Sequence, residues 1–361
     1  MRVVLVSPYS WTIPGGVNVH VAALAKHLRA RGHEVRVIAP ADGPVEPGVS
    51  ALGRTLPVPW NGSVARLTFG PRVASRIKIA LRRTRPDVVH IHEPFSPSAS
   101  LLALRAAKMP VVATFHASID SRIYRIAGIP LRRLWRKLAA RIAVSKAACM
   151  SVERIFGPGV RIIPNGVETS TYAAVPDADG SGSTILYFGR LESRKGPQVL
   201  VEAIPALRER VPDARIVIAG DGPLRRRLEE AVPAAHRDAV TFTGRFPDDD
   251  RLRLLADAAV VCLPAIGGES FGIVLVEAMA AGRPIVASAI PGFAAVARAG
   301  LDAVLVPSGD ARALADGVAG LLADPAKATA LGRSAREAAS RFDWDHVTTE
   351  IEAVYREAIA P

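Results

Sequence analysis

The chain has little cysteine and few aromatic residues, and it lacks long apolar runs. Its two cysteines, Cys149 and Cys262, both lie in apolar segments of a 361-residue sequence. We therefore expect buried thiols in a reducing compartment rather than a fold held together by disulfides. Aromatic residues make up only 5% of the chain. Because no basic motif studded with aromatic residues occurs, nucleic acid ranks last among the expected partners.

The absence of long apolar runs limits how the chain can meet a membrane. The N-terminal run Arg2–Val6 is too short for a signal peptide, and no run reaches the length that spans a bilayer. Any membrane contact is therefore expected to be peripheral. A net charge of +12, carried mostly by arginine, points to anionic partners, namely phosphates, nucleic acid or an acidic membrane face.

The clearest pattern in the chain is an alternation of strand-like and helix-like segments. Hydrophobic residues make up 49% of it, and its length allows two domains. Short β-branched runs alternate with helical patterns on both sides of Glu168–Ser183, a stretch with linker composition, and this predicts two doubly wound parallel α/β sheets. The predicted strands are Val3–Ser7, Glu34–Pro40, Asp87–Glu93, Val111–His116, Arg141–Ser145, Arg161–Pro164, Thr184–Gly189, Arg215–Gly220, Val240–Gly244, Ala259–Leu263, Pro284–Ser288 and Ala303–Val306. Ligands of such sheets bind at the carboxyl ends of strands, so we expect a cleft between the domains.

Residues 267–284 combine glycines, two carboxylates and an apolar helical pattern. The glycines allow the backbone to approach a ligand, and the helix after them offers N–H groups and a positive dipole end that suit phosphate. Gly282, with Pro284 two residues later, predicts the end of that helix. Glu269 and Glu277, with seven residues between them, would lie at most ~12 Å apart if all of these are helical. A sugar, a diphosphate and a nucleoside could lie along such a span, and the alternative is a buried helix with a solvated glutamate at each end.

The strand ends in the first half of the chain carry further candidate ligand-binding residues. Gly15 and Gly16 lie between the first predicted strand and a helix, where backbone N–H groups could meet a diphosphate. His90 and His92 lie two residues apart on a strand, hence on one face, and Glu93 follows. This trio has no further ligand at a recognisable spacing. We therefore predict packed, hydrogen-bonded histidines and no metal site.

Several of these motifs resemble a known family. GGESFGIVLVEAMAAG resembles the donor site of retaining glycosyltransferases of family 4, which have the GT-B fold. PYSWTIPGGVNVHV, PVPWNGSVARL and HIHEP are similar to segments of actinobacterial phosphatidylinositol mannosyltransferases, and the resemblance covers essentially the whole chain. It implies two Rossmann-like domains, residues 1–168 for acceptor and membrane and residues 169–343 for the nucleotide-sugar donor. A C-terminal helix over residues 344–361 would pack back on the first domain.

The resemblance also implies roles for individual residues. His116 would contact the transferred sugar, Arg190 and Lys195 would neutralise the departing diphosphate, and Glu269 would orient the hexose. The implied donor-binding residues are Gly16, Phe246, Arg251, Gly268, Ser270, Phe271, Gly272 and Glu277, with Glu277 on the ribose. The implied acceptor contacts are Tyr9 and Asn18. No metal and no other cofactor is expected, and a GxGxxG-like run beginning at Gly220 lacks its third glycine, which argues against a nicotinamide cofactor.

The chain departs from the family pattern on the acceptor side. Thr68 stands where the family has an arginine, and after His116 the basic residue is displaced by one, with Ser121 before Arg122. Two basic amphipathic stretches, Pro71–Arg85 and Ser121–Arg141, suit an anionic membrane surface or a solvated helix face.

The resemblance implies a function and leaves alternatives. The implied function is the retaining transfer of mannose from GDP-mannose to a phosphatidylinositol-type lipid. The enzyme would be cytoplasmic and peripherally associated with the inner face of the plasma membrane, with no nucleic-acid partner. The same fold with UDP-glucose, UDP-N-acetylglucosamine or a non-inositol acceptor is the alternative, and a non-catalytic nucleotide-sugar-binding protein is a third.

Overall fold

The structure, a computed structural model, describes residues 1–13, 15–60, 63–116, 131–177 and 182–360, with the backbone alone for Pro59, Trp60, Ser63, Val64, Asp248 and Asp249. The described residues form two compact units. The first consists of Met1–Gly166 and Trp344–Pro361, and the second of Val167–Asp343. Within the described residues, no helix is both long and apolar enough to cross a membrane.

The first unit is built on a seven-stranded sheet in which all neighbouring strands are parallel. Its strands are β1 (Arg2–Val6), β2 (Glu34–Ala39), β3 (Val49–Ala51), β6 (Val88–His92), β7 (Val111–Phe115), β8 (Ala140–Ala143) and β9 (Arg161–Ile162). They lie in the order β3-β2-β1-β6-β7-β8-β9. An antiparallel hairpin of β4 (Leu56–Trp60) and β5 (Ser63–Leu67) stands apart from this sheet.

Helices cover both faces of this sheet. They are α1 (Gly16–Ala30), α2 (Pro71–Thr84), α3 (Ala99–Ala106), α4 (Lys146–Phe156) and the C-terminal α13 (Trp344–Ile359), and residues 131–135 are also helical. Alternate residues of β1 pack against the helices on opposite faces of the sheet. Val4 belongs to the cluster that contains Ile77 of α2, whereas Leu5 packs with Leu24 of α1 and Ile351 of α13. Because both faces are covered, every residue of the central strands β6 and β7 is buried.

The second unit repeats this plan with a six-stranded parallel sheet in the order β12-β11-β10-β13-β14-β15. The strands are β10 (Thr184–Phe188), β11 (Arg215–Ala219), β12 (Val240–Gly244), β13 (Val260–Leu263), β14 (Ile285–Ser288) and β15 (Val304–Val306). The helices are α5 (Thr169–Ala173), α6 (Pro197–Arg210), α7 (Arg225–Ala231), α8 (Asp248–Ala256), α9 (Ile273–Ala280), α10 (Pro291–Ala294), α11 (Ala311–Leu322) and α12 (Pro325–Ala339). Short 3-10 turns occur at Ser193–Lys195, Ala234–Ala239 and Ser340–Phe342.

The structure confirms the predicted fold class and all the predicted strands, whose ends agree within two residues. The burial of both cysteines is also confirmed, and neither forms a disulfide. Two features were missed, the short edge strand β3 and the hairpin β4–β5. The interpretation of Glu168–Ser183 as a linker was wrong in part, because its first residues form α5 and Tyr172 is buried in the second unit.

Candidate functional site

In the second unit, charged side chains gather where two neighbouring strands end. Strands β10 and β13 pair in parallel, so the loops that follow them leave the same edge of the sheet. The loop after β10 carries Arg190, Glu192, Arg194 and Lys195, and the loop after β13 carries Glu269. The predicted diphosphate ligands and the predicted hexose carboxylate therefore lie side by side.

These side chains form a continuous ion-pair network. Glu269 accepts from Lys195 Nζ and from Arg194 Nη1, each at 2.6 Å. Glu192 accepts from Arg190 Nη2 at 2.7 Å and from Arg194 Nε at 3.1 Å. Both carboxylates are largely buried, whereas Arg190 remains 58% exposed. Three cations thus face two carboxylates, which leaves an excess positive charge where an anionic ligand is expected.

Glycines allow the loops at this edge to approach one another. A Cβ atom on Gly196 would lie 1.8 Å from the carbonyl oxygen of Pro264, and one on Gly292 would lie 2.1 Å from that of Glu269. Gly196 and Gly268 also have φ near +70°, which side chains other than glycine rarely adopt. A larger residue at Gly196 or Gly292 would therefore push the loops apart.

The stretch that follows Glu269 is only half helical. Helix α9 begins at Ile273 after Gly272, whose φ is +88°, and Glu277 lies inside it. The predicted end is confirmed: the N–H of Gly282 bonds to Met279 and that of the next residue to Ala278, a Schellman ending. The estimate of ~12 Å between the two carboxylates assumed helix throughout, so it does not apply.

The predicted donor residues around α9 differ in what they contact. Glu277 pairs with Arg251 at 2.8 Å, and the Arg251 guanidinium also donates to the Tyr172 hydroxyl at 3.4 Å. Burial raises the pKa of Tyr172, so that hydroxyl stays protonated. Phe271 is buried and its ring packs against Phe342, with ring centroids 5.4 Å apart. Its side chain is therefore part of the core, and its part in donor binding stays a prediction.

Two further predicted donor residues precede α9 and α8 in the chain. Ser270 is half-buried between Glu269 and the core residue Phe271. Phe246 is half-buried in the loop before α8.

In the first unit, the loop between β1 and α1 is held by Asn18. Its Oδ1 accepts from the Ser7 hydroxyl at 2.6 Å, and its Nδ2 donates to the carbonyls of Ser10 and Ile13. These contacts fix the loop that presents Tyr9 and leads to Gly16, the first residue of α1. Asn18 is 7% exposed, so its described contacts are those of a supporting residue; its contact with an acceptor stays a prediction.

Four histidines of the first unit form a cluster: His20, His90, His92 and His116. His90 bonds through one ring nitrogen to the Tyr355 hydroxyl and through the other to Thr114, each at 2.7 Å. His92 Nδ1 lies 2.9 Å from His116 Nε2, and the ring of His20 lies edge-on to that of His116. Burial lowers the pKa of His20 and His90 to about 3 and the pKa of His92 and His116 well below the usual value. The four imidazoles are therefore neutral at pH 7.

The backbone of His116 is held separately. Its N–H donates to Glu93 Oε1 at 2.6 Å, and the backbone N–H of Glu93 in turn donates to the Thr114 carbonyl. Glu93 has a φ of +49°, which is strained for a residue with a side chain. The predicted sugar-contacting histidine thus stands on a braced strand end, with its ring nitrogen Nε2 turned towards the histidine cluster.

Among the described residues, one group could hold a metal ion: His20, His92 and His116, which offer one nitrogen each within 4.8 Å of one another. Both ring nitrogens of His20, Nε2 of His92 and Oδ1 of Asn165 are buried without a hydrogen-bond partner. Ordered water usually satisfies such atoms. This group differs from the trio of His90, His92 and Glu93 considered from the sequence. Both ring nitrogens of His90 are hydrogen-bonded, one to Tyr355 and the other to Thr114.

The acceptor-side departures fall partly outside the described residues. Thr68 is buried and donates to the carbonyl of Arg54 at 3.0 Å. Ser121, Arg122 and the first part of the second basic stretch lie outside the described residues. The first basic stretch forms α2, which buries Val73, Ile77 and Leu81.

Comparison with known proteins decides the family. Residues 14–171 match the family model "Glycosyltransferase Family 4" and residues 170–338 match "Glycosyl transferases group 1". The chain is 41% identical to the phosphatidyl-myo-inositol mannosyltransferase of Mycobacterium leprae, over 98% of this chain and 96% of the relative. It is 42% identical to the protein of the same name from Mycolicibacterium smegmatis, over 98% and 93%.

The chain belongs to the phosphatidyl-myo-inositol mannosyltransferase family. It is a glycosyltransferase, and the resemblance stated from its motifs is confirmed. Among solved structures it is similar to Anabaena HepE in complex with UDP, with a TM-score of 0.80, 20% identity, and 98% and 99% of the two chains covered. That likeness supports the GT-B fold of the mannosyltransferase family.

Sequence reasoning missed several residues that the structure places in these sites. Glu192 and Arg194 connect the predicted donor residues, and the only sequence signal for them was their position beside Arg190 and Lys195. His20 joins the histidine cluster from α1. It lies within the quoted segment PYSWTIPGGVNVHV, but nothing in that segment indicates contact with the distant His92 and His116.

Proposed function

We propose that this glycosyltransferase moves mannose from GDP-mannose to a phosphatidylinositol-type lipid, with retention of configuration and without a metal ion. The observation that carries this proposal is the network of Arg190, Lys195 and Glu269 at two neighbouring strand ends. Two bases for a diphosphate lie beside a carboxylate for sugar hydroxyls, which is the arrangement a nucleotide-sugar donor requires. The names of the relatives support mannose as the sugar and phosphatidylinositol as the acceptor.

In the proposed reaction, the bond between the mannose C1 and the diphosphate oxygen breaks while a bond from C1 to an acceptor hydroxyl oxygen forms on the same face. The hydroxyl proton passes to the departing diphosphate. Arg190 and Lys195 stabilise the charge that develops on that leaving group, with about 1.5–3 kcal/mol per charge-assisted hydrogen bond. This role lets the chain's own cations do what a metal ion would otherwise do.

Glu269 and Glu277 have different tasks in this proposal. Glu269, with a largely buried side chain and an ionised partner on each side, accepts hydrogen bonds from hexose hydroxyls. Glu277, paired with Arg251, accepts from the ribose diol. The role proposed for His116, whose backbone N–H donates to Glu93, is contact with the transferred sugar.

The membrane part of the proposal rests on α2. Arg72, Lys78, Arg82 and Arg83 are exposed on this helix beside Ile79, which is 46% exposed. Each basic residue near an anionic surface contributes about 1 kcal/mol, so this face would hold the enzyme reversibly at an acidic membrane such as the inner face of the plasma membrane.

The test is a product analysis with the purified chain. It is incubated with phosphatidylinositol-containing liposomes and GDP-mannose, UDP-glucose or UDP-N-acetylglucosamine, and the lipids are analysed by mass spectrometry. We expect a mannosylated phosphatidylinositol from GDP-mannose alone, with the same yield in EDTA. Transfer from a UDP-sugar, or onto another acceptor only, would assign a different substrate pair.

Two variants serve as controls in this assay. Lys195→Ala is expected to remove most of the product, because it lacks one ligand of the leaving group. Arg226→Gln changes an exposed arginine that pairs with Glu230 on α7. This variant is expected to form as much product as the wild type. A reversible loss of activity in EDTA would reopen His20, His92 and His116 as a metal site.

A further inference from the structure

Arg194 connects the two loops of the proposed donor site more extensively than any predicted residue. Its carbonyl oxygen accepts from the N–H of Ile266 at 2.9 Å, and its Nη1 donates to the carbonyl of Gly268 at 3.3 Å. Its side-chain stem also lies against Gly268, where a Cβ atom would come within 3.5 Å of Cδ. A single residue of the loop after β10 thereby fixes the course of the loop after β13.

The guanidinium of Arg194 also bridges the two carboxylates of the network. Its Nε donates to Glu192 at 3.1 Å and its Nη1 to Glu269 at 2.6 Å. The guanidinium reaches both acids at once from two different nitrogens held in a fixed planar fork, whereas the three donors of a lysine ammonium all radiate from one nitrogen. Arg190 and Lys195, in contrast, each pair with one acid.

This difference matters when a diphosphate arrives. The two phosphates carry more negative charge than one carboxylate, so they attract the cations that are free to turn towards them. Arg190 is 58% exposed, and the Lys195 ammonium sits on a flexible stem. Once Lys195 turns to the diphosphate, Glu269 keeps one cationic partner, Arg194. Without it, a largely buried carboxylate would stand unpaired beside a diphosphate.

We propose that Arg194 is the positioning residue of the donor site: it holds the Glu269 carboxylate in place for the hexose and keeps it paired while Lys195 binds the diphosphate. This inference rests on the proposed function for the identity of the donor. It deepens that function by separating the bases of the network into two that bind phosphate and one that orients the carboxylate.

The test compares Arg194→Lys with the wild-type chain. Calorimetry measures the affinity for GDP and for GDP-mannose, and initial rates give kcat and KM. For Arg194→Lys, which keeps the charge and loses the fork, we expect GDP affinity within about twofold of wild type and a kcat at least tenfold lower. The gain in affinity from GDP to GDP-mannose, which reports the sugar contacts, is expected to disappear.

Matched variants separate this role from the alternatives. Lys195→Gln is expected to weaken GDP binding, because it removes a phosphate ligand, and Arg226→Gln, with 89% of its side chain exposed, is expected to change nothing. Thermal denaturation of Arg194→Lys is expected to match wild type within about two degrees, which excludes general unfolding as the cause of the lost kcat.

Two results would overturn the inference. A wild-type kcat in Arg194→Lys would mean that the fork is not needed. A GDP affinity that falls in parallel with kcat would place Arg194 among the direct phosphate ligands. If the wild-type chain does not use GDP-mannose, the proposed function fails instead, and the same affinity comparison with the preferred nucleotide sugar still tests Arg194.

Discussion

In the first unit, Nδ1 of His92 lies 2.9 Å from Nε2 of His116. One of these nitrogens carries the hydrogen and the other accepts it, so each ring restricts the tautomer of the other. His116 is thereby fixed at two points, at its ring by His92 and at its backbone N–H by Glu93.

Replacement of His92 by phenylalanine keeps a flat ring and removes this hydrogen bond. Because a lost hydrogen bond to a buried group costs about 1–3 kcal/mol, we expect a kcat for mannose transfer that is roughly tenfold lower or more. GDP affinity is expected to stay unchanged, since the phosphate ligands lie in the second unit. His346→Phe, at an exposed position of α13, is the control; an unchanged kcat in His92→Phe would show that His116 needs no support from this ring.

Acidic pH is expected to destabilise the first unit. The buried histidines have a pKa below the unfolded value near 6.5, so the unfolded chain binds more protons below that pH. Each such histidine lowers the free energy of unfolding by about 1.4 kcal/mol per pH unit as the pH falls from about 6 towards 3. Urea denaturation followed by tryptophan fluorescence at pH 7.5, 6 and 5 measures this slope, since all four tryptophans belong to the first unit.

His20→Leu gives the matched comparison for the pH slope. It removes one buried imidazole whose ring nitrogens have no hydrogen-bond partner, so the slope is expected to become shallower by one proton. His346→Leu makes the same replacement at an exposed histidine and serves as the control for the substitution itself. Equal slopes for all three proteins would contradict the assignment of a neutral buried His20.

Glu269 and Lys195 are expected to have opposite effects on nucleotide binding. Glu269→Gln removes a negative charge 2.6 Å from Lys195 Nζ, so GDP should bind as tightly as before or more tightly, while turnover falls at least a hundredfold. Lys195→Ala should lose both turnover and GDP affinity. Calorimetry and initial rates measure the two quantities, and near-normal transfer by either variant would contradict the site assignment.

Membrane association is expected to depend on charge. Replacing the exposed bases of α2 by glutamine removes up to ~4 kcal/mol of attraction to an anionic surface, before ordering costs are counted. Arg76 is left in place because it donates to the Leu52 carbonyl at 3.0 Å and so supports the fold. The four replaced residues are Arg72, Lys78, Arg82 and Arg83. We expect sedimentation with anionic liposomes to be lost, as it should also be for the wild type at high salt.

A charge-matched control decides whether net charge alone explains this result. It replaces four exposed arginines of the second unit: Arg226, Arg227, Arg237 and Arg312. This variant is expected to bind liposomes like the wild type. Equal losses in both variants, or binding that ignores lipid charge, would assign the α2 face to solvent and favour an acceptor that is not in a membrane.

Part of the site could be predicted because it depends on local chemistry. Gly282 ends α9 as its sequence context requires, and the bases after β10 lie at the strand end where the alternation of the chain puts them. The pairing of these bases could not be predicted, because Glu192 alone offered no reason to bond both Arg190 and Arg194. Phe271 was a predicted donor residue whose side chain the structure places against Phe342.

The amino-acid sequence was enough to predict the alternation of strands and helices, since this pattern depends on residues close together in the chain. It also determined the positive charge. Folding was needed to show which side chains meet: His20 with His92 and His116, Tyr355 with His90, and Arg194 with Glu269. These pairs are separated by many residues and have no shared period. The parallel order of the strands brings the loops of Arg194 and Glu269 to one edge of the second sheet. The packing of α1 and α13 on the first sheet brings His20 and Tyr355 to the other histidines, whose burial keeps them neutral.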